Sequence, residues 1–311
     1  MPITSNPTGA LSRRQVLNAM VALSASVGLG LSGSVFGAQK ASVATTPWPL
    51  WIVEKAGRTV YLLGQTPPRA TAWHDTRIEG LVKRCGAIWT ETNRIHRQNP
   101  KALVVKYGLE PGKPLSERLS PTDWARVKQA AELAKLPLEA IAPMRPWLAA
   151  ATIEQAYFAA MKLDEQGTAE SVLLRTAKLA KVAKVEHASE FPSQDDVIQF
   201  MGEMSAPEDM QFLQYTLDHI LAGTTENERI YAAWAQADTT PAAEFLDNMK
   251  RTQPDMYAKH VVGRNLNWLP RFAAMQKMAK PSLVIVGLYH MAGLDSLVEQ
   301  LKTDGWRVRA A

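Results

Sequence analysis

The run "SLVIVGLYHMAGLD", residues 282–295, constrains the fold more than any other stretch of the chain. From Ser282 it is apolar without alternation until it stops at Gly287, which reads as a short strand buried on both faces. Three residues past that glycine stands His290. A histidine at the end of a core strand is either a packed, hydrogen-bonded residue or one wall of a site, and the rest of the chain has to discriminate.

The other segments fall into an alternating order. "LWIVEKAGRTVYLLGQT" reads as two strands around a turn at Ala56-Gly57, and "GAIWTETN" as a short strand after a helix at 76–84. "SPTDWARVKQAAELAK" starts a helix, with Ser120 as N-cap and Pro121 at the first helical position. "LEAIAP" reads as a weak strand. "PWLAAATIEQAYFAAMKL" and "TAESVLLRTAKLAK" read as helices, and "KVAKVEHASE" as a strand at 182–187. A long helical stretch fills 193–280, broken near Ala222-Gly223 and Thr239-Thr240-Pro241. The strand 282–287, a helix at 294–303 and a last strand "WRVRA" come after it. Strands separated by helices predict a mixed α/β fold: a central, mainly parallel sheet flanked by helices, with a helical insertion before the last strands.

Composition excludes several classes. Hydrophobic residues make up 46% and charged residues 21% of 311, a globular balance. Cys85 is the only cysteine, so no disulfide framework or cysteine-rich metal site is available, and it is expected to be a small buried residue. The N-terminal stretch carries Ser12-Arg13-Arg14, then a weakly apolar Gly/Ala/Ser-rich run to about residue 37. That order reads as a cleaved twin-arginine export signal over residues 1–44, leaving a domain of 45–311 in the periplasm or outside the cell. Without residues 1–44 the formal net charge falls from +5 to +2, because Arg13, Arg14 and Lys40 go with them. No basic stripe with interleaved aromatics is present, so nucleic acid is not an expected partner, and no membrane span is expected after residue 44.

In parallel sheets ligands gather beyond the carboxyl ends of the strands. Those ends carry Gly64-Gln65-Thr66, Glu91-Thr92-Asn93, Glu186-His187 and Gly287 through His290. Ionised groups are rarely buried unless paired or bound to something. Each has an ordinary reading as well. His290 can be a hydrogen-bonded core residue, Glu91 a helix cap, Glu186-His187 a solvated strand edge and Arg264 half of a structural ion pair. The aromatics of "GRNLNWLPRF" read as core. His96, His219 and His260 read as exposed and take no role. No phosphate loop, G-x-S-x-G elbow or H-E-x-x-H is present.

The stretches "TVYLLGQTP", "IWTETN", "RPWLAAATIE", "AKLAKVAKVEHASE", "YAKHVVGRNLNWLPRF" and "LVIVGLYHMAGLDSLVEQLKTDGWRV" resemble, in that order, the TraB/GumN family over residues 48–311. That family is related to the Tiki metalloproteases and to erythromycin-esterase-like and haem-binding ChaN-like proteins. The resemblance implies a divalent-metal site built from two Gly-x-x-His motifs and a glutamate. Here the second motif is intact, Gly287-Leu288-Tyr289-His290, but the first reads Gly64-Gln65-Thr66-Pro67, and proline has no donor to replace an imidazole. A catalytic metal such as zinc usually has three protein ligands. Glu91 and His290 supply two, with Glu186, Gln65 and His74 as candidates for the rest, and manganese, cobalt or zinc would bind weakly or not at all. Arg264 and Asn265, in the "RN..W" block, and Gln65 are the expected substrate-binding residues; Glu91 or Glu186 would be the catalytic base.

Three functions are therefore in play. One is a degenerate, catalytically silent site that binds a small molecule or peptide in the strand-end cleft. Another is an active metal-dependent hydrolase of peptide or ester bonds. The last is haem or metal carriage, with Tyr289 and His290 as axial groups; it rests on analogy alone, no Cys-x-x-Cys-His is present, and haem is not expected.

Overall fold

A computed structural model describes residues 48–93, 95–163, 165–181 and 189–311. Their sheet has six strands: β1 (Leu50–Lys55), β2 (Arg58–Gln65), β3 (Ala87–Thr92), β4 (Ser189–Phe191), β5 (Ser282–Gly287) and β6 (Arg307–Ala310), in the order β4-β3-β5-β2-β1-β6. Strands β4, β3, β5 and β2 run parallel; β1 is antiparallel to β2 and to β6. The mainly parallel sheet and the mixed α/β fold are as expected. The β1–β2 turn sits at Ala56 and Gly57, both with positive φ (51° and 73°), which glycine tolerates and most residues avoid.

β5 is central and its unbroken apolar sequence has a direct cause. Leu283 and Ile285 face a cluster with Ile78, Leu81 and Leu173, while Val284 and Val286 face one with Trp234, Trp268 and Phe272. Successive residues point to opposite faces, and both faces are covered. The expected core aromatics Trp268 and Phe272 and the lone Cys85 are indeed buried. A third core, centred on Trp147, Ile153 and Leu217, joins the helices Pro146–Ala160 and Ala206–Leu221 beside the sheet.

Several local expectations are corrected. "LEAIAP" forms the short helix Leu138–Ile141 with Pro137 at its N-cap, not a strand. His219 and His260 are buried, not exposed: His219 lies against Tyr231, and His260 packs among Phe200, Phe212 and Met204. The expected strand at 182–187, with Glu186, lies outside the described residues; the strand that joins the sheet in this region is β4, with Pro192 immediately after it. Among the described residues no helix is long and apolar enough to cross a membrane.

Candidate functional site at the carboxyl ends of the parallel strands

Four parallel strands place their carboxyl ends along one edge of the sheet, and each contributes a residue there. Gln65 pairs with Gly287 across β2 and β5. Thr90 and Thr92 of β3 pair with Ser189 and Phe191 of β4, which sets Glu91 beside Glu190. Like charges side by side on neighbouring strands repel, so this pairing needs a cation.

Arg264 is that cation. Its Nη2 donates to Glu91 Oε2 at 2.8 Å and to Glu190 Oε2 at 2.8 Å, and its Nε reaches both Glu190 oxygens at 3.1 and 3.2 Å. The guanidinium also lies over the Phe191 ring, 5.4 Å from its centroid. Glu91 Oε1 accepts the Gly287 backbone N–H, so both oxygens of this carboxylate are taken. Burial alone would raise the Glu91 carboxyl, but Arg264, His290 and the Gly287 N–H outweigh it and hold it down to about 2. Burial raises Glu190, Arg264 offsets part of that, and the Glu91 charge adds to it. Arg271 secures the same edge strand by donating to the Ser189 and Glu190 carbonyls.

The helix that carries Arg264 starts unusually. The six residues Ala258–Gly263 form a π-helical turn directly before the helix Arg264–Met275. Such turns insert extra residues, rotate the next helical segment about its axis and recur at functional sites. Here two consecutive side chains serve different partners. Arg264 turns to the sheet edge, and Asn265, fully buried, turns to His290.

His290 comes after β5 in the single turn Leu288–His290. Asn265 Nδ2 donates to the Asp295 carbonyl at 2.8 Å, which orients the amide and leaves Oδ1 facing His290 Nδ1 at 2.8 Å. In this network Nδ1 carries the proton and Nε2 is the acceptor. Burial, with Arg264 adding to it, pushes His290 down to about 4, so the ring is neutral at pH 7.

Beside this cluster lies a cavity of about 260 Å³. Gln65 to Pro68, Glu91, Thr92, Gly287 and Leu288 line it from the strand ends, Glu154 and Phe158 from the helix Pro146–Ala160, and Glu165, Glu170, Tyr215 and Tyr289 complete the lining. Burial raises Glu154 to about 7, and no described charge offsets it. Tyr289 stacks on Phe245 with ring centroids 4.8 Å apart.

The structure brings Glu91, Arg264, Asn265 and His290 together, with Asn265 acting on His290 and not on the cavity. Gln65 lines the cavity, but its amide is engaged with the start of the helix Ala169–Leu179: Nε2 donates to Glu170 Oε2 at 3.2 Å and Oε1 accepts the Glu170 N–H at 3.1 Å. His74 is not in the cluster; it pairs with Glu79. Glu91 caps no helix, because the next one, Pro100–Gly108, is capped by Asn99. Glu186 lies outside the described residues. Pro67 lines the cavity rim. The residues that sequence reasoning missed are Glu190, Glu154, Glu170 and Tyr215. Pro192 was the available signal for Glu190, since it ends the strand at Phe191. For Glu154 it was the single charged residue of the Ala-rich helix Pro146–Ala160.

Glu91 uses both oxygens in hydrogen bonds to Arg264 and Gly287, and Gln65 is engaged with Glu170, whereas His290 meets Asn265 through Nδ1 only, an arrangement that a metal-ligating histidine also has. Among the described residues no group of three or more His, Cys, Asp or Glu could hold a metal.

The TraB/PrgY/gumN family model matches residues 49–310. No curated protein and no solved structure matches the chain.

Proposed function

For a chain that belongs to the TraB/PrgY/gumN family, we propose a degenerate, metallohydrolase-like site that binds a small molecule or peptide in the strand-end cavity. The observation that carries this reading is the Arg264 guanidinium seated between Glu91 and Glu190. Charge neutralisation, which a metal would otherwise provide at paired carboxylates, is already supplied by a side chain that cannot be deprotonated and fits carboxylates through its planar fork. Pro67 at the rim where the resemblance calls for a histidine supports the same reading. What remains is a cavity with polar and aromatic walls, the usual composition of a binding site.

The test is a ligand-observed NMR screen of the full chain with a library of mixed charge, followed by mapping of the hits on backbone amides. Hits that move the amides of Gln65, Gly287 and Leu288 support the proposal. Hits that move only amides remote from this edge of the sheet contradict it.

A second reading, hydrolysis without a metal, has one observation in its favour. Glu154 is raised to about 7, where a carboxyl can exchange protons near neutral pH, and it shares the cavity with the ionised Glu91. Turnover of a bound hit by wild type and not by Glu154→Gln would favour it.

We propose further that the protein is exported by the twin-arginine route, from Ser12-Arg13-Arg14 and the weakly apolar run after them. Replacing Arg13 and Arg14 with lysine should hold the protein in the cytoplasm; undiminished export of that variant would exclude this route.

A further inference from the structure

The parallel strands begin at the edge of the sheet opposite the strand-end cavity, and three helices that return to this edge end in lysine and arginine. The helix Thr76–Val82 runs into Lys83 and Arg84 and then, through Gly86, into β3. The helix Ala169–Leu179 starts beside it, since the Trp73 N–H donates to the Gly167 carbonyl at 2.7 Å. Its Leu173 and Ala177 pack with Ile78, Leu81 and Val82, so it runs the same way and brings Lys178 and Lys181 to the same edge. The helix Arg264–Met275 leads to Lys277 and Lys280 ahead of β5. The Gly86 N–H donates to the Pro281 carbonyl at 2.7 Å, which joins that turn to the one before β3. All six cationic residues are exposed. We propose that this edge docks the protein on an anionic lipid surface, with Leu179 seated among the headgroups; the proposal does not depend on what the cavity binds.

One cation at a helix end offsets the helix dipole and is ordinary. Here the excess is local. No Asp or Glu occurs in residues 80–90, 171–181 or 265–294. At the same edge Lys55 and Lys302 are matched, by Asp304 at 3.2 Å and by Glu299 at 2.7 Å, whereas none of the six forms an ion pair with a described carboxylate. From residue 45 on the formal net charge is only +2, so these cations are segregated on one side and are not a sample of a basic protein. Such a patch attracts an anionic surface over about a Debye length, roughly 8–10 Å at ordinary ionic strength.

The residue types favour lipid over other anions. Five of the six are lysine, a point charge on a flexible stem that suits a diffuse field of phosphates; reading one phosphate or base in a fixed geometry calls for arginine forks. Residues 83–86, 177–181 and 276–281 include no aromatic side chain to stack on a base. Leu179 stands between Lys178 and Lys181 and is 86% exposed. A leucine among lysines is the pairing that membrane-surface segments use, the apolar side chain below the headgroups and the ammonium groups level with the phosphates. Docked in this way, the protein holds the cavity at the far ends of the same strands, turned away from the lipid.

The experiment sediments the full chain at pH 7 with sucrose-loaded vesicles of phosphatidylcholine, alone or with about one third phosphatidylglycerol. The expected result is binding to the phosphatidylglycerol vesicles, none to the neutral ones, and at least about tenfold weaker binding at high salt. Lys178→Gln, Lys181→Gln and Lys280→Gln together should weaken it at least about tenfold, since each cation close to such a surface contributes roughly fivefold. Leu179→Ser should weaken it about threefold and leave the salt dependence unchanged. A control triple, Lys101→Gln, Lys113→Gln and Lys128→Gln, removes the same charge from exposed positions around the third core and should change binding less than about twofold. Circular dichroism checks the fold of each variant. Residues 1–44 are present in every sample, so any attraction between them and lipid cancels in the comparison of the two triples. Absence of binding, equal binding to neutral vesicles, or the same effect from both triples overturns the proposal. So does tighter binding of a single-stranded oligonucleotide that the first triple abolishes, which would make nucleic acid the partner of this edge.

Discussion

The neighbouring parallel strands β2 and β5 both reach the cavity edge of the sheet through a glycine motif, offset by one residue so that Gly64 pairs with Val286 and Gly287 with Gln65, and the two glycines serve opposite ends. At Gly64 the missing side chain makes room for an indole: a Cβ there would lie 2.3 Å from Trp234 Cζ2. The Gly64 carbonyl accepts N–H bonds from both Trp234 and Trp48, at 3.0 and 2.8 Å. At Gly287 the close approach is electrostatic. Its N–H donates to Glu91, and a Cβ would lie 3.3 Å from Glu91 Oε1. After Gly64 the chain continues Gln65-Thr66-Pro67, and the Gln65 amide fastens a helix. After Gly287 it continues to His290, held by Asn265 within reach of the Glu91–Arg264–Glu190 cluster. A motif that reads as a symmetric pair has become a packing joint on β2 and a charged joint on β5.

The most severe way to break the charged joint is Arg264→Met. It leaves the buried Glu190 beside the half-buried Glu91 with only Arg271 near to offset them, and the expected loss is about 3 kcal/mol of stability, read by denaturant unfolding. A loss below about 1 kcal/mol would mean that the cluster is solvated and the contrast overdrawn.

The two glycines then separate the joints directly. Gly64→Ala must displace a fully buried tryptophan and should cost about 1–3 kcal/mol. Gly287→Ala meets only the end of a glutamate side chain, and its φ of −59° suits any residue, so less than about 1 kcal/mol is expected. Equal costs would show that the motif works symmetrically after all.

Glu154→Gln gives an effect that depends on pH. The folded-state value of about 7 lies above the ordinary 4.5. Between the two, the unfolded chain loses its proton while the folded chain keeps it, so wild-type stability should fall as pH rises from about 4.5 to about 7 and level off above. The glutamine variant lacks this fall. It should match wild type near pH 4 and exceed it at pH 8 by on the order of 2 kcal/mol, because the carboxyl borders a wet cavity and the full shift is not realised. A constant difference across pH would put Glu154 in contact with bulk water.

How much of this was legible depends on how much sequence each element occupies. β5 was readable because burial on both faces leaves an unbroken apolar run. The helix Pro121–Leu133 was readable from Ser120, whose side chain accepts the Asp123 N–H as its position implies. β4 was not, because a three-residue edge strand carries almost no pattern and "KVAKVEH" just before it alternates more convincingly. The charged joint was half legible: Glu91, Arg264 and His290 stand out by position, but Glu190 becomes their neighbour only through the β3–β4 register. The burial of His219 and His260 was hidden because neither lies in an apolar run; aromatic or polar groups distant in sequence enclose them. The cavity needed Glu154, Glu170 and Tyr215 from three helices, and no local spacing announces that meeting.

The central claim is that a guanidinium, not a metal ion, offsets the carboxylates at the end of β3 and β4. Elemental analysis of the folded protein, purified without chelator or added metal, tests it most directly. The account predicts manganese, cobalt and zinc each far below one ion per chain. One tightly held ion per chain, lost together with the fold in Glu91→Gln or His290→Ala, would contradict it.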